Sequence, residues 1–289
     1  MLRLDSSGCT NDRIDCGCES ELFERRGFEL VDFFRAGWRT VRLLGMFVVA
    51  GTELLVKRPA TREQRADWLH RFCARGIRGM GIEISVEGVF PSRGAVISNH
   101  LSYLDIVVFA TLHPCVFVSK AEVRRWPVVG WMTTMSGTVY VARGHGGSAM
   151  RARKEMQAAL DAGLPVVFFP EGTTSNGSQL LKFHTGLLSQ VIAGGTPVTA
   201  AYLSYSFAVD NGPDVSVADD VCYWGNRNML AHIFKFLALR GVRAQVRFAE
   251  EPIAFSSDGA HRKRAAIEAR SAVEALALKT EPRFAEPGR

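Results

Sequence analysis

The chain of 289 residues lacks an apolar run long enough to cross a bilayer as an ordinary helix. Such a helix needs roughly 20 apolar residues, and in the most apolar stretch only residues 43–52 are free of charge. The sequence also starts with a polar, acidic segment, whereas a signal peptide needs a basic start and an early apolar core. We therefore predict no signal peptide, and we favour a helix that dips into one leaflet.

Several patterns that would indicate a specific chemistry are also missing. No G-x-S-x-G is present, which disfavours a serine esterase, and no Walker motif occurs. No C-x-x-C pair exists, so a zinc site is not indicated. The cysteine spacing favours reduced thiols in a cytosol-facing protein over a metal or disulfide role. The six cysteines are Cys9, Cys16, Cys18, Cys73, Cys115 and Cys222.

Charge is distributed unevenly along the chain, whose formal net charge is +6. Residues 1–34 carry eight acidic and four basic side chains, while residues 35–81 carry ten basic and three acidic ones. The basic block surrounds an apolar run, and apolar side chains have no partner on a nucleic-acid duplex. The pattern therefore favours an anionic membrane surface over nucleic acid as a partner.

Two helices are predicted to follow a poorly ordered polar leader at residues 1–28, and together residues 29–80 form a membrane-associating segment. The first covers residues 30–57 and dips into the bilayer, although a buried helix of a soluble protein would show a similar pattern. The second, over residues 61–78, has arginines around an apolar face. It fits either an interfacial helix, with Trp68 at the membrane surface, or an ordinary surface helix.

From residue 81 onwards, strands alternate with helices. Strands are predicted at 82–86, 95–98, 115–119, 138–142, 166–169, 198–204 and 243–248. Helices are predicted at 101–112, 128–135, 148–162, 182–193, 226–239 and 260–278. This alternation predicts an α/β fold with a mixed, largely parallel sheet flanked by helices. We assign residues 81–280 to this domain and residues 281–289 to a frayed tail.

A histidine and an aspartate lie five residues apart where the predicted strand at 95–98 gives way to a helix. At such a junction His100 can act as a general base, with Asp105 accepting a hydrogen bond from one of its ring nitrogens. Ser102-x-x-Asp105 also has the form of a capping box, in which Asp105 would only cap the helix. The two roles are compatible, because both place Asp105 in the first helical turn.

Two further strand ends carry candidate site residues. Glu171 lies on a Pro/Gly turn after an apolar strand, where open α/β sheets bind ligands, although a plain turn with a solvated glutamate would look the same. Arg143 ends another strand and precedes a glycine-rich turn, which is suited to binding a phosphate. His145 in that turn fits a turn residue better than a catalyst.

Taken in order, these motifs resemble the glycerolipid acyltransferase family over about residues 68–206. The first motif of that family, N-H-x-x-x-x-D, matches Asn99, His100 and Asp105. The second matches Lys120, Pro127, Gly130 and Arg143; the third, F-P-E-G-T-x-S, matches residues 169–175; the fourth matches Pro197. One departure is Thr174, where many phosphatidate-forming members have an arginine. The sequence after it looks more like members that acylate lysophospholipids with larger headgroups, or lyso-ornithine lipids.

The resemblance implies transfer of a fatty acyl group from acyl-CoA or acyl carrier protein to the hydroxyl of a lysolipid. It implies that His100 is the base and that Asp105 orients it, with no cofactor and no metal. The implied substrate-binding residues are Asn99, Lys120, Arg143, Glu171, Gly172, Thr173 and Thr174. The expected location is the cytoplasmic face of a membrane. A lipid ester or thioester hydrolase, with His100 activating water, and a non-catalytic membrane-binding protein are the alternatives.

Overall fold

Seven strands form one mixed sheet in the computed structural model, which describes residues 30–126, 129–142, 146–256 and 261–281. The strand order is β1-β7-β6-β2-β5-β3-β4; β7 pairs antiparallel with β6, and the other pairs are parallel. The predicted mixed sheet is confirmed, with strand ends within three residues of the predicted ones. The strands are β1 (Ile82–Glu87), β2 (Ala95–Ile97), β3 (Val116–Lys120), β4 (Val139–Val141), β5 (Val166–Phe168), β6 (Val198–Phe207) and β7 (Val242–Phe248).

Helices cover both faces of this sheet. Three predicted starts were three residues early, because the segments beginning at residues 101, 182 and 226 become helical only at Leu104, Thr185 and Met229. A 3₁₀ turn, Ala121–Arg125, and the short helix α7 were not predicted. The α-helices are α1 (Leu30–Lys57), α2 (Arg62–Met80), α3 (Leu104–Leu112), α4 (Val129–Met135), α5 (Gly146–Asp161), α6 (Thr185–Ala193), α7 (Val217–Asp220), α8 (Met229–Ala238) and α9 (Arg262–Thr280).

Two separate apolar cores lie on the two faces. One core joins α1, α2, α3 and α8 to the sheet, and the other joins α5, α6 and α9 to it. The predicted leader, the residues after Glu281, and Pro127, Val128 and Arg143 lie outside the described residues. The cysteines Cys73, Cys115 and Cys222 are buried thiols.

Helix α1 turns most of its charged residues towards the protein, and many of its large apolar side chains are exposed on its outer face. The Arg35 guanidinium donates to the carbonyl of Ala238, and Arg39 donates to the carbonyls of Leu237 and Leu239, at 2.6–3.1 Å. These bonds satisfy carbonyls at the end of α8, which a helix leaves unpaired. The exposed large apolar residues of α1 are Leu30, Val31, Phe33, Phe34, Trp38, Val41, Leu44, Val48, Val49, Leu55 and Val56.

The length and apolar content that a membrane crossing requires are not found together in any helix of the described residues. Helix α2 also differs from one of its two predicted forms, because Trp68 is buried, with 1% of its surface exposed, and does not lie at an interface. Its ring stacks on Phe72, with ring centroids 6.0 Å apart, and Phe72 packs in turn against Phe47 of α1. Trp68 is therefore a core residue between α1 and α3.

Glu53 pairs with three basic side chains, of which Arg71 and Arg75 lie on α2 and so join α1 to α2. Lys57 contacts its carboxylate at 2.8 Å, Arg71 at 3.2 Å and Arg75 at 3.0 Å. The hydrogen bonds from Lys57 and Arg75 are the main reason that the pKa of Glu53 falls to about 2. Since the folded-state pKa lies below the ordinary value of 4.5, this stabilisation is complete above about pH 4.5 and is lost as the pH falls towards 2.

We expect Glu53→Gln to lower the free energy of unfolding by about 1 kcal/mol at pH 7, since its basic partners are partly exposed to solvent. At pH 2.5 the variant and the wild type should be nearly equal. Urea unfolding at both pH values measures the difference. The control is Glu155→Gln, which removes a single pair with Arg151 on α5 and should cost less than about 0.5 kcal/mol. An equal loss for Glu53→Gln at both pH values would contradict the assignment.

Candidate active site

The central strand β2 ends at a loop that is fastened to its neighbour β6. Asn99 lies just beyond β2 and is buried, and its side-chain amide bonds to Leu203 in both directions. Its Nδ2 donates to the Leu203 carbonyl and its Oδ1 accepts from the Leu203 amide, each at 2.8 Å. The side chain thus continues the strand pairing after the β2 backbone has turned away. Asn99, a predicted substrate-binding residue, has its amide engaged within the protein.

His100 and Asp105 form a hydrogen-bonded pair in this loop. The Nδ1 atom of His100 lies 2.7 Å from Oδ2 of Asp105, and the aspartate is fully buried while 17% of the histidine side chain is exposed. A carboxylate only accepts hydrogen bonds, so Nδ1 carries the proton and Nε2 has the free lone pair. The partly exposed imidazole of His100 is therefore oriented to take a proton at Nε2.

The Asp105 carboxylate also organises the start of α3. Its Oδ2 accepts from the backbone amides of Leu101 and Ser102, at 2.7 and 3.0 Å, in addition to His100. The prediction of Ser102 as the N-cap is wrong, because the helix N-cap is Tyr103 and the Ser102 hydroxyl makes no cap bond, although the acid does bond back to the backbone amide of Ser102. Capping and orientation of His100 are carried out by the same oxygen.

A second loop, after β5, packs against the first. The Phe169 ring stacks on the His100 imidazole, with ring centroids 4.0 Å apart and planes within 6° of parallel. The amide of Ser175 donates to the His100 carbonyl at 3.0 Å. Gly172 adopts a φ of 65°, a left-handed conformation that favours glycine, and its amide closes the turn by bonding to the Phe169 carbonyl. The first and third motifs lie 70 residues apart in the sequence, and residues of both contact His100.

Glu171 is a buried acid beside this pair. Only 2% of its surface is exposed, and neither carboxylate oxygen makes a hydrogen bond of ordinary geometry within the described part of the chain. Burial is the main reason that the pKa of Glu171 rises to about 8, and the charge of Asp105 adds to the rise. Backbone groups of His100 and Leu181 and the charge of Arg270 act in the opposite direction. At neutral pH the Glu171 carboxyl is therefore mostly protonated and can donate a hydrogen bond.

The other predicted site residues surround this centre at the carboxyl edge of the parallel strands. Thr173 is exposed and Thr174 is partly buried in the loop after β5. Lys120 ends β3, is exposed, and is separated from β2 by β5. Gly130 of the second motif lies so close to the 3₁₀ turn that a Cβ atom would come within 2.2 Å of the Arg124 carbonyl.

Two contacts of the His100–Asp105 pair were missed by sequence reasoning. The Tyr205 hydroxyl donates to Oδ1 of Asp105 at 2.8 Å, and Phe169 stacks on His100. The match to the third motif included Phe169, but it did not predict that the Phe169 ring stacks on His100. Tyr205 lies one residue beyond the predicted strand 198–204, and no local sequence pattern distinguishes it from its neighbours.

The geometry is that of a positioned general base beside a neutral buried acid. His100 can take a proton from a hydroxyl or from water, and Asp105 stabilises the imidazolium that forms. Glu171 can donate a hydrogen bond to a group bound next to His100. Such a site suits transfer or hydrolysis of an acyl group, where an oxygen nucleophile must lose its proton.

Comparisons with known proteins agree with this chemistry. A family model described as Acyltransferase matches residues 82–204. Over 213 residues the chain is 35% identical to the lyso-ornithine lipid O-acyltransferase of Pseudomonas aeruginosa, which covers 73% of this chain and 76% of that protein. Over 115 residues it is 36% identical to the 1-acyl-sn-glycerol-3-phosphate acyltransferase of Neisseria gonorrhoeae, covering 40% of this chain and 45% of that protein.

The fold is similar to that of a solved structure. The crystal structure of PlsC, the 1-acyl-sn-glycerophosphate acyltransferase of Thermotoga maritima, aligns with a TM-score of 0.53 at 20% identity. The alignment covers 82% of this chain and 97% of PlsC. At this level of identity the similarity concerns the fold alone.

Proposed function

The chain belongs to the acyltransferase family, and from that premise we propose that it transfers a fatty acyl group to the hydroxyl of lyso-ornithine lipid at a membrane surface. The acyl donor is a thioester, on coenzyme A or on acyl carrier protein. We assign the chemistry to the α/β domain over residues 81–280, and the attachment to the membrane to residues 29–80. The observation that carries the proposal is the buried Asp105 that holds His100 with Nε2 free.

The reaction begins when Nε2 of His100 takes the proton of the acceptor hydroxyl. The hydroxyl oxygen then attacks the thioester carbonyl carbon, and a tetrahedral oxyanion forms. Collapse of that intermediate re-forms the carbonyl and breaks the carbon–sulfur bond, and the thiolate leaves with the proton from His100. Asp105 stabilises the imidazolium between these two steps. Backbone amides of the loop and Lys120 are assigned to the oxyanion.

The acceptor is assigned to the loop after β5. We propose that the neutral Glu171 carboxyl, Gly172 and Thr173 bind it next to His100, and that Arg143 and Lys120 contribute positive charge. Support comes from the burial of Glu171 beside the pair, because burial of a polar group is costly unless hydrogen bonds compensate for it, and a bound acceptor would add one. Asn99 acts in this scheme by fixing the loop to β6.

Two observations favour lyso-ornithine lipid as the acceptor. The P. aeruginosa relative of that name aligns over most of both chains, whereas the N. gonorrhoeae relative aligns over less than half of each. Thr174 is also uncharged, so this chain lacks the ion pair with a phosphate that an arginine at this position would provide in many phosphatidate-forming members. The second candidate acceptor is 1-acylglycerol-3-phosphate, which the N. gonorrhoeae relative favours.

Attachment to a lipid surface is assigned to the outer face of α1. That face exposes Leu44 and Val48 by 60% and 69%, and it includes the other exposed large apolar residues of α1. Of the charged residues of α1, only Arg42 and Lys57 are exposed. A continuous apolar face of this size is typical of a membrane contact, and an acceptor that is itself a membrane lipid gives the reason for it. We place this face on the cytoplasmic leaflet.

We expect His100→Ala to lower the rate of acyl transfer to lyso-ornithine lipid by about 10²–10⁴, because the reaction loses its general base. Purified enzyme, a thioester donor and mass spectrometry of the diacyl product provide the assay. Free fatty acid is measured in the same samples, since its release in place of diacyl lipid would indicate a hydrolase. Wild-type turnover by His100→Ala, or no turnover by the wild type with any lysolipid and donor, would refute the proposal.

We expect Thr174→Arg to shift acceptor preference towards 1-acylglycerol-3-phosphate by about tenfold in the ratio of kcat/KM values, because it adds a donor for a phosphate. The control is Thr174→Val, which removes the hydroxyl without adding charge and should leave the ratio near that of the wild type. If the wild type already prefers 1-acylglycerol-3-phosphate, the second candidate acceptor is the correct one.

We expect the double variant Leu44→Glu, Val48→Glu to bind vesicles of phosphatidylethanolamine and phosphatidylglycerol at least about tenfold more weakly than the wild type, since two apolar contacts are lost. Co-flotation with the vesicles measures binding. Ile267→Glu is the control: that residue is 65% exposed on α9, on the other face of the sheet, and should have no effect. Equal binding by all three proteins would exclude α1 as the attachment surface.

A further inference from the structure

The two oxygens of the Asp105 carboxylate have different environments. Oδ2 accepts three hydrogen bonds, from Nδ1 of His100 and from the amides of Leu101 and Ser102. The bond that the structure gives to Oδ1 comes from Tyr205, at 2.8 Å. Because Asp105 is fully buried, loss of the tyrosine hydroxyl would leave a charged oxygen without a donor.

The Tyr205 hydroxyl always acts as the donor in this bond. Tyr205 is 8% exposed, and burial, followed by the charge of Asp105, raises its pKa well above the ordinary value of tyrosine. The hydroxyl therefore keeps its proton throughout the pH range in which an enzyme works. Its hydrogen bond is made to a charged acceptor, which makes it stronger than a bond between neutral groups.

The fold brings Tyr205 to the pair through the extra length of β6. Strand β2 ends at Ile97, which is level with Ala200, whereas β6 continues to Phe207. The part of β6 beyond Ala200 runs alongside the loop that carries His100. The two hydrogen bonds between the Asn99 side chain and the Leu203 backbone join this loop to β6 two residues before Tyr205. Tyr205 is thus held on a strand, which places it more firmly than a loop would.

We propose that Tyr205 is a positioning residue that sets the basicity of His100 by sharing the negative charge of Asp105. The inference rests on the proposed function, in which His100 is the base. The hydrogen bond from Tyr205 stabilises part of the negative charge of the carboxylate on Oδ1. Asp105 therefore attracts the imidazolium of His100 less strongly. Without that donor the imidazolium is held more strongly, and His100 stays protonated to a higher pH.

Other titratable groups also face this assembly. Glu171 comes from the loop after β5, Tyr103 from the turn before α3, and Cys222 from the segment after α7. The pKa values of Glu171 and Tyr103 are raised, mainly by burial, so both are mostly neutral on the acid side of neutrality. Ionisation of Glu171 therefore affects the alkaline side of the pH profile and not its acid limb.

The test compares Tyr205→Phe with Tyr205 replaced by 3-fluorotyrosine. We expect Tyr205→Phe to lower kcat by about 10- to 100-fold and to move the acid limb of kcat/KM to higher pH by about 0.5–1 unit. Fluorination makes the hydroxyl a better donor at almost the same size, so we expect the acid limb to move to lower pH. A residue with only a structural role would not give shifts of opposite sign.

Tyr202→Phe is the matched control. It removes a hydroxyl from the same strand, where Tyr202 donates to Glu281 at 2.8 Å, and should leave the pH profile unchanged. If Tyr205→Phe does not fold, the direction of the fluorotyrosine shift decides alone. The inference is overturned if neither change at position 205 moves the acid limb. His100→Ala distinguishes failure of the proposed function from failure of this inference. If His100→Ala retains turnover, the proposed function is refuted. If it loses turnover but the position-205 variants keep the acid limb of the wild type, only the role of Tyr205 is refuted.

Discussion

The buried carboxylate of Asp105 is the constraint on which the site depends. A charge removed from water at the edge of a sheet needs several hydrogen-bond donors, and these come from two parts of the chain. Two backbone amides and His100 come from its own loop, and Tyr205 comes from the overhanging end of β6. Satisfying this one group fixes the start of α3, the ring of His100 and the register of the loop against β6.

The same arrangement explains why the third motif lies beside the first. Strands β2 and β5 are parallel neighbours, so the loops that follow them leave the sheet at the same edge. Phe169 stacks on His100, and Ser175 bonds to its carbonyl, so the second loop shields one face of the imidazole and leaves part of it open. Glu171 belongs to the same loop and is buried beside His100, and this burial keeps its carboxyl mostly neutral at neutral pH.

The exposed apolar face of α1, to which we assign attachment to a lipid surface, is a separate property of the fold. Helix α1 is attached to the domain by Arg35 and Arg39 on the end of α8 and by Glu53 on the arginines of α2. Most of its charges are thereby used on the protein side, which leaves an outer face of apolar residues. Sequence reasoning left two forms open for α2, an interfacial helix with Trp68 at the membrane surface or an ordinary surface helix. The structure places Trp68 in the core, because α2 lies between α1 and α3.

The sequence by itself determined the alternation of strands and helices and the pairing of His100 with Asp105, because periodicity and a five-residue spacing are local properties. It also placed Glu171 at a strand end. Only the tertiary structure decided that Glu171 is buried and mostly neutral, that Asn99 fastens the loop to β6, and that Tyr205 donates to Asp105. These contacts join residues up to 104 positions apart along the chain, and strand order and overhang, which local patterns do not encode, bring them together.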